Sequence, residues 1–491
     1  MPQQSIKKNY ILNTLYQILT LVTPLITTPY ISRVLGPDGV GAYSYTNSIV
    51  TIFSLFACLG TTTYGQRTIA QCRDDVKQRT KAFWEIEVLS CITTIFCLAA
   101  WTLFIVVYPE YKFYFIILSF DLLSTALDIS WLYAGLERYQ FIVMRNSVVK
   151  LVGVALVFLL VREKQDVWIY ISILTVTKLL GNVSMWAPIR KIVNKVSFKE
   201  LNLKPHIKET FAYFVPTAAA SVYSYLDKVM IGVFSSSTTE NGYYEQANRI
   251  AKIAYSVVIS LNTVMSSRMS YLFSLGKEKE IKDKLENALA FILTLSIPLT
   301  FGISGIAQNF VPWFFGDGYD KVVILMLLSS PLVIILSLHN FLSAQYLIPS
   351  GQRVRSTKGV LIGAAVNFIC NLILIPQFSS IGALIGTLAA ETSICIVYWY
   401  MSKEYVPLRV LFKYLPKQLL SAFVMLAIVV WIGNGKSGSI VLTVEQALVG
   451  AVVYGAMLII LREAFCRKSL HFLLEKVRRR RRKKVNDREG S

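Results

Sequence analysis

Charged side chains inside long apolar runs are the residues of this chain best placed to do chemistry. Each costs about 2.5–3.5 kcal/mol to insert into hydrocarbon, so each needs a cavity or a partner. Arg249 and Lys252 are three apart in one such run and share a helix face. Arg268 lies at the end of the same run, Arg33 closes the first run, and Lys228 adjoins Asp227. This cationic set would suit an anionic substrate such as a phosphate; the alternative is that Arg33 and Arg249 snorkel to lipid headgroups. Among the acids, Asp121 and Asp128 are seven apart and share a predicted helix face with Ser124, while Arg145, Lys150 and Lys178 lie in the next two runs. Asp128 could pair with Lys150 or Lys178 and serve only packing, or the set could relay a proton or cation. Glu391 and His339 stand alone in their runs.

Other chemistries lack their residues. Gly435-Lys436-Ser437 is like the end of a phosphate-binding loop, but Val430 stands where that loop requires Gly and no strand precedes it, so ATP hydrolysis is not supported. His206, His339 and His471 show no metal-ligand spacing, and seven cysteines without a CxxC pair read as small buried hydrophobes. A protein that is not an enzyme, with no metal site, is expected.

The elements that position the charges follow from composition. The 491-residue chain is 54% hydrophobic and only 16% charged, which excludes a disordered protein and points to lipid as its solvent. About fourteen runs approach the roughly 20 residues that span a bilayer: 10–32, 40–60, 86–107, 113–135, 141–161, 167–189, 211–235, 247–270, 288–308, 322–347, 359–375, 381–401, 418–433 and 441–461. The expected fold class is an all-α polytopic membrane protein with short connections. The first run is of membrane length without a small-residue cleavage site, so a cleaved export signal is not expected.

The net charge of +21 reports orientation. With both termini cytoplasmic, about 37 of the 50 Lys and Arg fall on the cytoplasmic side, about 6 outside and about 7 within helices. Residues 478–484, all basic, read as an anchor on anionic membrane lipid and not as a nucleic-acid site. Segments 191–208 and 469–476 mix Leu, Val or Phe with Lys and predict amphipathic helices on lipid headgroups.

Gly41-Ala-Tyr43-Ser-Tyr-Thr-Asn47-Ser-Ile49 and Gly242-Tyr-Tyr244-Glu-Gln-Ala-Asn248-Arg-Ile250 both read G-x-Y-x-x-x-N-x-I, and each follows a Pro-containing run. Six runs separate the copies, an even number, so the two halves cross the membrane in the same direction. Parallel repeats of this kind mark transporters whose substrate meets the repeat interface, which adds Asn47 and Asn248 to the candidate substrate set. The expected organisation is two six-helix lobes in parallel pseudo-repeat, at 1–189 and 211–401, joined by a cytoplasmic amphipathic linker at 190–210. A helix pair at 402–461 and a basic cytoplasmic tail at 462–491 follow. Gly382-Ala-Leu-Ile-Gly386 predicts close helix packing.

Pro29-Tyr-Ile-Ser-Arg33-Val-Leu-Gly36-Pro-Asp-Gly39-Val-Gly41-Ala-Tyr43 resembles the first-loop signature of the bacterial polysaccharide flippases, the Wzx-type exporters of the multidrug/oligosaccharidyl-lipid/polysaccharide superfamily. Tyr225-Leu-Asp227-Lys-Val-Met-Ile-Gly232 with Gly242-Tyr-Tyr244 is similar to the matching second-half pattern. Helix number and repeat position extend the resemblance over nearly the whole chain. It implies an inverted V of two lobes with alternating access to a central cationic cavity in the bacterial plasma membrane. The implied substrate is an undecaprenyl-pyrophosphate-linked oligosaccharide, turned to the outer leaflet for capsule, O-antigen or a related wall polymer. Related lipid II flippases use basic cavity residues on helices one and eight, which implies such a role for Arg33 and for Arg249, Lys252 or Arg268. The resemblance further implies sodium or proton coupling in place of any cofactor, with Asp121, Asp128, Asp227 and Glu391 as carriers. Polysaccharide polymerase and glycosyltransferases are the implied partners. The competing expectation, a cation-coupled multidrug exporter of the same superfamily, would favour acidic cavity residues and usually needs only twelve helices.

Overall fold

The computed structural model describes residues 6–235, 237–260 and 262–468, which are helical nearly throughout with no strand among them. The helices are α1 Ile6–Cys58, α2 Thr61–Gln71, α3 Val76–Val107, α4 Lys112–Ala126, α5 Ser130–Gly135, α6 Tyr139–Leu160, α7 Val167–Ser184 and α8 Lys204–Phe234. There follow α9 Thr239–Ser260, α10 Asn262–Ser274, α11 Glu278–Phe315, α12 Asp320–Ser329, α13 Leu332–Leu342, α14 Arg353–Ser402, α15 Leu408–Gly433 and α16 Ile440–Ile460. Large apolar side chains cover the outside: Phe96, Val106, Val107, Trp431 and Val441 are each more than two-thirds exposed. Helices apolar on every face need lipid as their neighbour, so this is a multi-pass membrane protein.

Among the described residues ten helical segments are long and apolar enough to cross a membrane, or up to eleven if α9 and α10 form one bent span. Length and apolarity therefore do not by themselves reach the expected fourteen crossings. Two of the ten are far longer than one crossing requires. Thr14–Gln71 has 58 residues and Arg353–Ser402 has 50. At 1.5 Å per residue, the shorter covers about 75 Å against a hydrocarbon core of about 30 Å. Each holds two expected runs, and each is interrupted by non-helical backbone, at Gly36 (φ 67°) and Ser379 (φ 50°). Gly36 is followed by Pro37, and a Cβ there would meet nothing within 4 Å, so the glycine is needed for its backbone angle alone. At the second break the Ser380 N–H donates to the Glu240 carboxylate at 3.2 Å, satisfying a backbone group that the interruption frees. The expected seventh run lies in α8, which mixes Tyr, Ser and Thr among its apolar residues and is not among the ten.

The chain divides into two compact units, the first comprising Met1–Glu245, Phe315–Gly318 and Asn367–Ala383, the second Gln246–Phe314, Tyr319–Val366 and Leu384–Ser491. Among the described residues two apolar cores lie in the first unit. One gathers Leu35, Tyr45, Val50, Trp101, Phe115 and Leu122; the other gathers Phe83, Ile86, Trp131, Tyr133 and Met185.

The expected amphipathic helix over 191–208 does not form before Lys204; only short 3₁₀ turns at Ile189–Lys191 and Phe198–Glu200 precede it. Its residues are bonded to α3 instead. The Arg79 guanidinium donates to the Ile192 carbonyl at 2.8 Å, Trp84 Nε1 to the Asn194 carbonyl at 2.9 Å, and Asn202 N–H to Glu85 at 2.7 Å. Ile192 and Val193, within the segment expected to lie on lipid headgroups, are buried in the second core. The expected helix at 469–476 and the basic residues at 478–484 lie outside the described residues. All seven cysteines are free of disulfides and only partly buried.

Candidate functional site

Asp227 and Lys228 are neighbours on α8, and successive helical residues point about 100° apart, so they cannot satisfy each other. They dock instead on another adjacent pair, Tyr244 and Glu245 of α9. Tyr244 Oη donates to Asp227 Oδ2 at 2.6 Å, and Lys228 Nζ lies 2.6 Å from Glu245 Oε2. Ser44 Oγ of α1 adds a hydrogen bond to Glu245 at 3.1 Å, and Asn241 Nδ2 donates to the Lys228 carbonyl at 2.6 Å. Asn371 of α14 donates to Asp227 Oδ1 at 2.6 Å and contacts Asn367 Oδ1 at 3.2 Å. Asp227, Tyr244, Asn367 and Asn371 are all at most 2% exposed. Asn371 Oδ1 finds no hydrogen-bond partner among the described residues. Asp227, Tyr244, Asn371 and Asn367 thus form one buried hydrogen-bonded cluster in which both carboxylate oxygens of Asp227 accept. Lys228, by contrast, has its charge matched by Glu245.

The other expected substrate residues divide among several places. Arg33 is exposed, its stem against Gly316, and Asn47 is half-buried further along α1. In the second unit Arg249 is half-buried and Lys252 exposed, three residues apart on α9, with Asn248 buried beside them. Arg268 does not line the same helix: it sits on α10, more than half exposed, and pairs with Glu280 of α11 at 3.2 Å. Its charge is thereby met at the surface.

The remaining acids also find specific settings. Asp121 on α4 takes Lys178 of α7 at 2.8 Å. Asp128 does not share its helical face, because α4 ends at Ala126; Asp128 Oδ1 instead accepts the Ser130 N–H at 2.9 Å, ahead of α5. The expected pairing of Asp128 with Lys150 or Lys178 is thus replaced by one with Asp121. Glu391 and His339, which looked solitary in sequence, face each other at 2.8 Å. Their atoms are within ion-pair distance but out of hydrogen-bond alignment.

Glu245, Asn371 and Asn367 carried no sequence signal. Asn371 lies 144 residues from Asp227, and no local pattern reports such a contact. Glu245 occupies an unmatched position of the repeat, opposite the apposed Ser44.

Apolar helices interrupted at Gly36 and Ser379, with charges paired inside the apolar segments, define a membrane transporter fold. The chain belongs to the polysaccharide biosynthesis protein family, whose model matches residues 6–272. The model of the lipid II flippase MurJ family matches residues 140–450. A protein of Escherichia coli (strain K12) named "Putative O-antigen transporter" is 26% identical over 404 residues, covering 80% of this chain and 95% of that protein. The fold is similar to that of the lipid II flippase MurJ in an inward closed conformation, with TM-score 0.74 and 16% identity over 92% of this chain and 99% of the other. An inward-facing multidrug resistance MATE family transporter of the MOP superfamily matches less well, with TM-score 0.59 and 14% identity over 80% of this chain and 94% of the other. The family and these relatives are transporters, not enzymes.

Proposed function

We propose that this protein turns an undecaprenyl-pyrophosphate-linked oligosaccharide from the inner to the outer leaflet of the bacterial plasma membrane, with both termini cytoplasmic. The observation that carries the reading is family membership together with similarity to an O-antigen transporter over 95% of that protein's length. Physical chemistry supports the class. A pyrophosphate and a polar glycan cannot cross hydrocarbon unaided, whereas a polyprenyl tail can remain in lipid. Alternating access between the repeats carries the head group, and Arg33, Arg249 and Lys252 meet its phosphates. A sodium or proton gradient drives the cycle, with Asp227 as the first carrier to test. The polymerase and glycosyltransferases that make and use the repeat unit are the partners.

The multidrug exporter reading draws on the MATE-like fold, but cationic drugs would favour acidic residues where the candidate set Arg33, Arg249 and Lys252 is basic. Reconstitution with fluorescent lipid-linked oligosaccharide and with ethidium separates the two. Movement of the oligosaccharide is expected, and movement of ethidium alone rejects the flippase.

A further inference from the structure

The pairing described above leaves out Arg145, whose guanidinium donates to Met185 Sδ at 2.8 Å, and Lys150. Lys150 lies on α6, eleven residues after Tyr139 and ten before Leu160. Lys178 lies on α7, eleven residues after Val167. At 1.5 Å per residue, Lys150 stands about 15–17 Å from both ends of α6, near the middle of a hydrocarbon core about 30 Å thick, and Lys178 about 17 Å from the Val167 end of α7 and about 9 Å from its Ser184 end. Lys178 is held by Asp121. Lys150 Nζ has no ion-pair or hydrogen-bond partner among the described residues.

What Lys150 does have is a cavity. A space of about 240 Å³ within the first unit is lined by both lysines together with Thr23, Thr27, Tyr170 and Thr177. Its volume is below the roughly 300–1,000 Å³ of sites that enclose a whole small ligand, so it takes a part of one. The threonine hydroxyls donate along their own helices: Thr23 to the Leu19 carbonyl at 2.6 Å, Thr27 to the Thr23 carbonyl at 3.0 Å and Thr177 to the Ile173 carbonyl at 2.6 Å. Their protons are committed, which leaves their oxygens as acceptors. Two ammonium donors beside hydroxyl acceptors complement a group that is anionic at one end and rich in hydroxyls at the other. Lys150, Lys178 and Asp121 together leave an excess of one positive charge.

We propose that this cavity is a subsite for the phosphate-linked sugar of the transported lipid, with Lys150 binding phosphate oxygens and the threonines accepting from glycan hydroxyls. The identity of the cargo rests on the flippase reading. Depth decides between sources of phosphate: a resident phospholipid keeps its phosphate at the headgroup level, about 15 Å from this point, whereas a cargo must pass it.

The test uses the full-length protein in nanodiscs, with undecaprenyl pyrophosphate, the same lipid bearing a short oligosaccharide, and phosphatidylglycerol as probes. Lys150→Gln should weaken binding of both pyrophosphate lipids about tenfold or more, the size of one lost charge-assisted hydrogen bond. Lys150→Arg should stay within about threefold, which also separates charge from folding. Thr27→Val should weaken only the oligosaccharide-bearing lipid. Wild-type protein that transports the oligosaccharide while Lys150→Gln binds within twofold of it overturns the subsite and leaves the flippase reading standing. Displacement of the probe by phosphatidylglycerol at equal concentration likewise overturns it. Wild-type protein that neither binds nor moves the lipid-linked oligosaccharide overturns both.

Discussion

Gly41 and Gly242, the glycines that open the two copies of the G-x-Y-x-x-x-N-x-I repeat, lie against one another backbone to backbone. A Cβ on Gly41 would sit 3.0 Å from the Gly242 nitrogen and overlap the Thr238 carbonyl; one on Gly242 would sit 3.2 Å from the Gly41 nitrogen and overlap the Pro37 carbonyl. The repeat is therefore a contact as well as a pattern. The approach brings Asp38 to Thr239 and Ser44 to Glu245, tying the segment after Gly36 to the start of α9, where Tyr111, ahead of α4, also meets Thr238.

Because backbone atoms block both Cβ positions, no side-chain movement can make room. Gly41→Ala and Gly242→Ala should each destabilise the detergent-solubilised protein by about 1–3 kcal/mol, the usual cost of overpacking. The double variant should fall short of the sum, since both substitutions strain one contact. Thermal unfolding followed by size-exclusion fluorescence measures this, and full additivity would show that the glycines act separately.

The Lys228–Glu245 pair, with side chains 13% and 17% exposed, loses more when halved than when removed. Lys228→Met or Glu245→Gln alone leaves an uncompensated charge at a cost of about 3–5 kcal/mol, while the double variant should recover much of it. Expression level and melting temperature of the three variants check the order.

Asp227→Asn preserves size and most hydrogen bonding while removing the charge. If Asp227 carries the coupling ion, transport should lose its dependence on the sodium or proton gradient while the melting temperature changes little. The parallel substitution Glu391→Gln, opposite His339, is the control: loss of coupling there and not at Asp227 would move the carrier to the second unit.

Among the basic residues, the structure ranks what the sequence left equal. Arg249→Ala with Lys252→Ala should reduce export at least tenfold at unchanged membrane level, because both stand on one face of α9. Arg268→Ala, whose charge is met at the surface by Glu280, should change export less than twofold. Equal losses from all three would return Arg268 to the substrate path.

The lipid solvent, the helical class, the repeat and the family were legible in the residues themselves. A bilayer forces apolar runs of nearly constant length, charge asymmetry between loops, and Gly or Pro where backbones turn or touch; all of these are local. Partnership is not local. Asp121 chose Lys178 because α4 and α7 pack together, Asp128 left its predicted face because α4 stops at Ala126, and the linker abandoned its amphipathic helix because α3 offered Glu85, Arg79 and Trp84 as partners. Whether a charge in an apolar run is neutralised or left facing a cavity depends on residues tens to hundreds of positions away. Distances in space therefore separated Lys228 and Arg268, already paired, from Lys150, whose charge meets open volume.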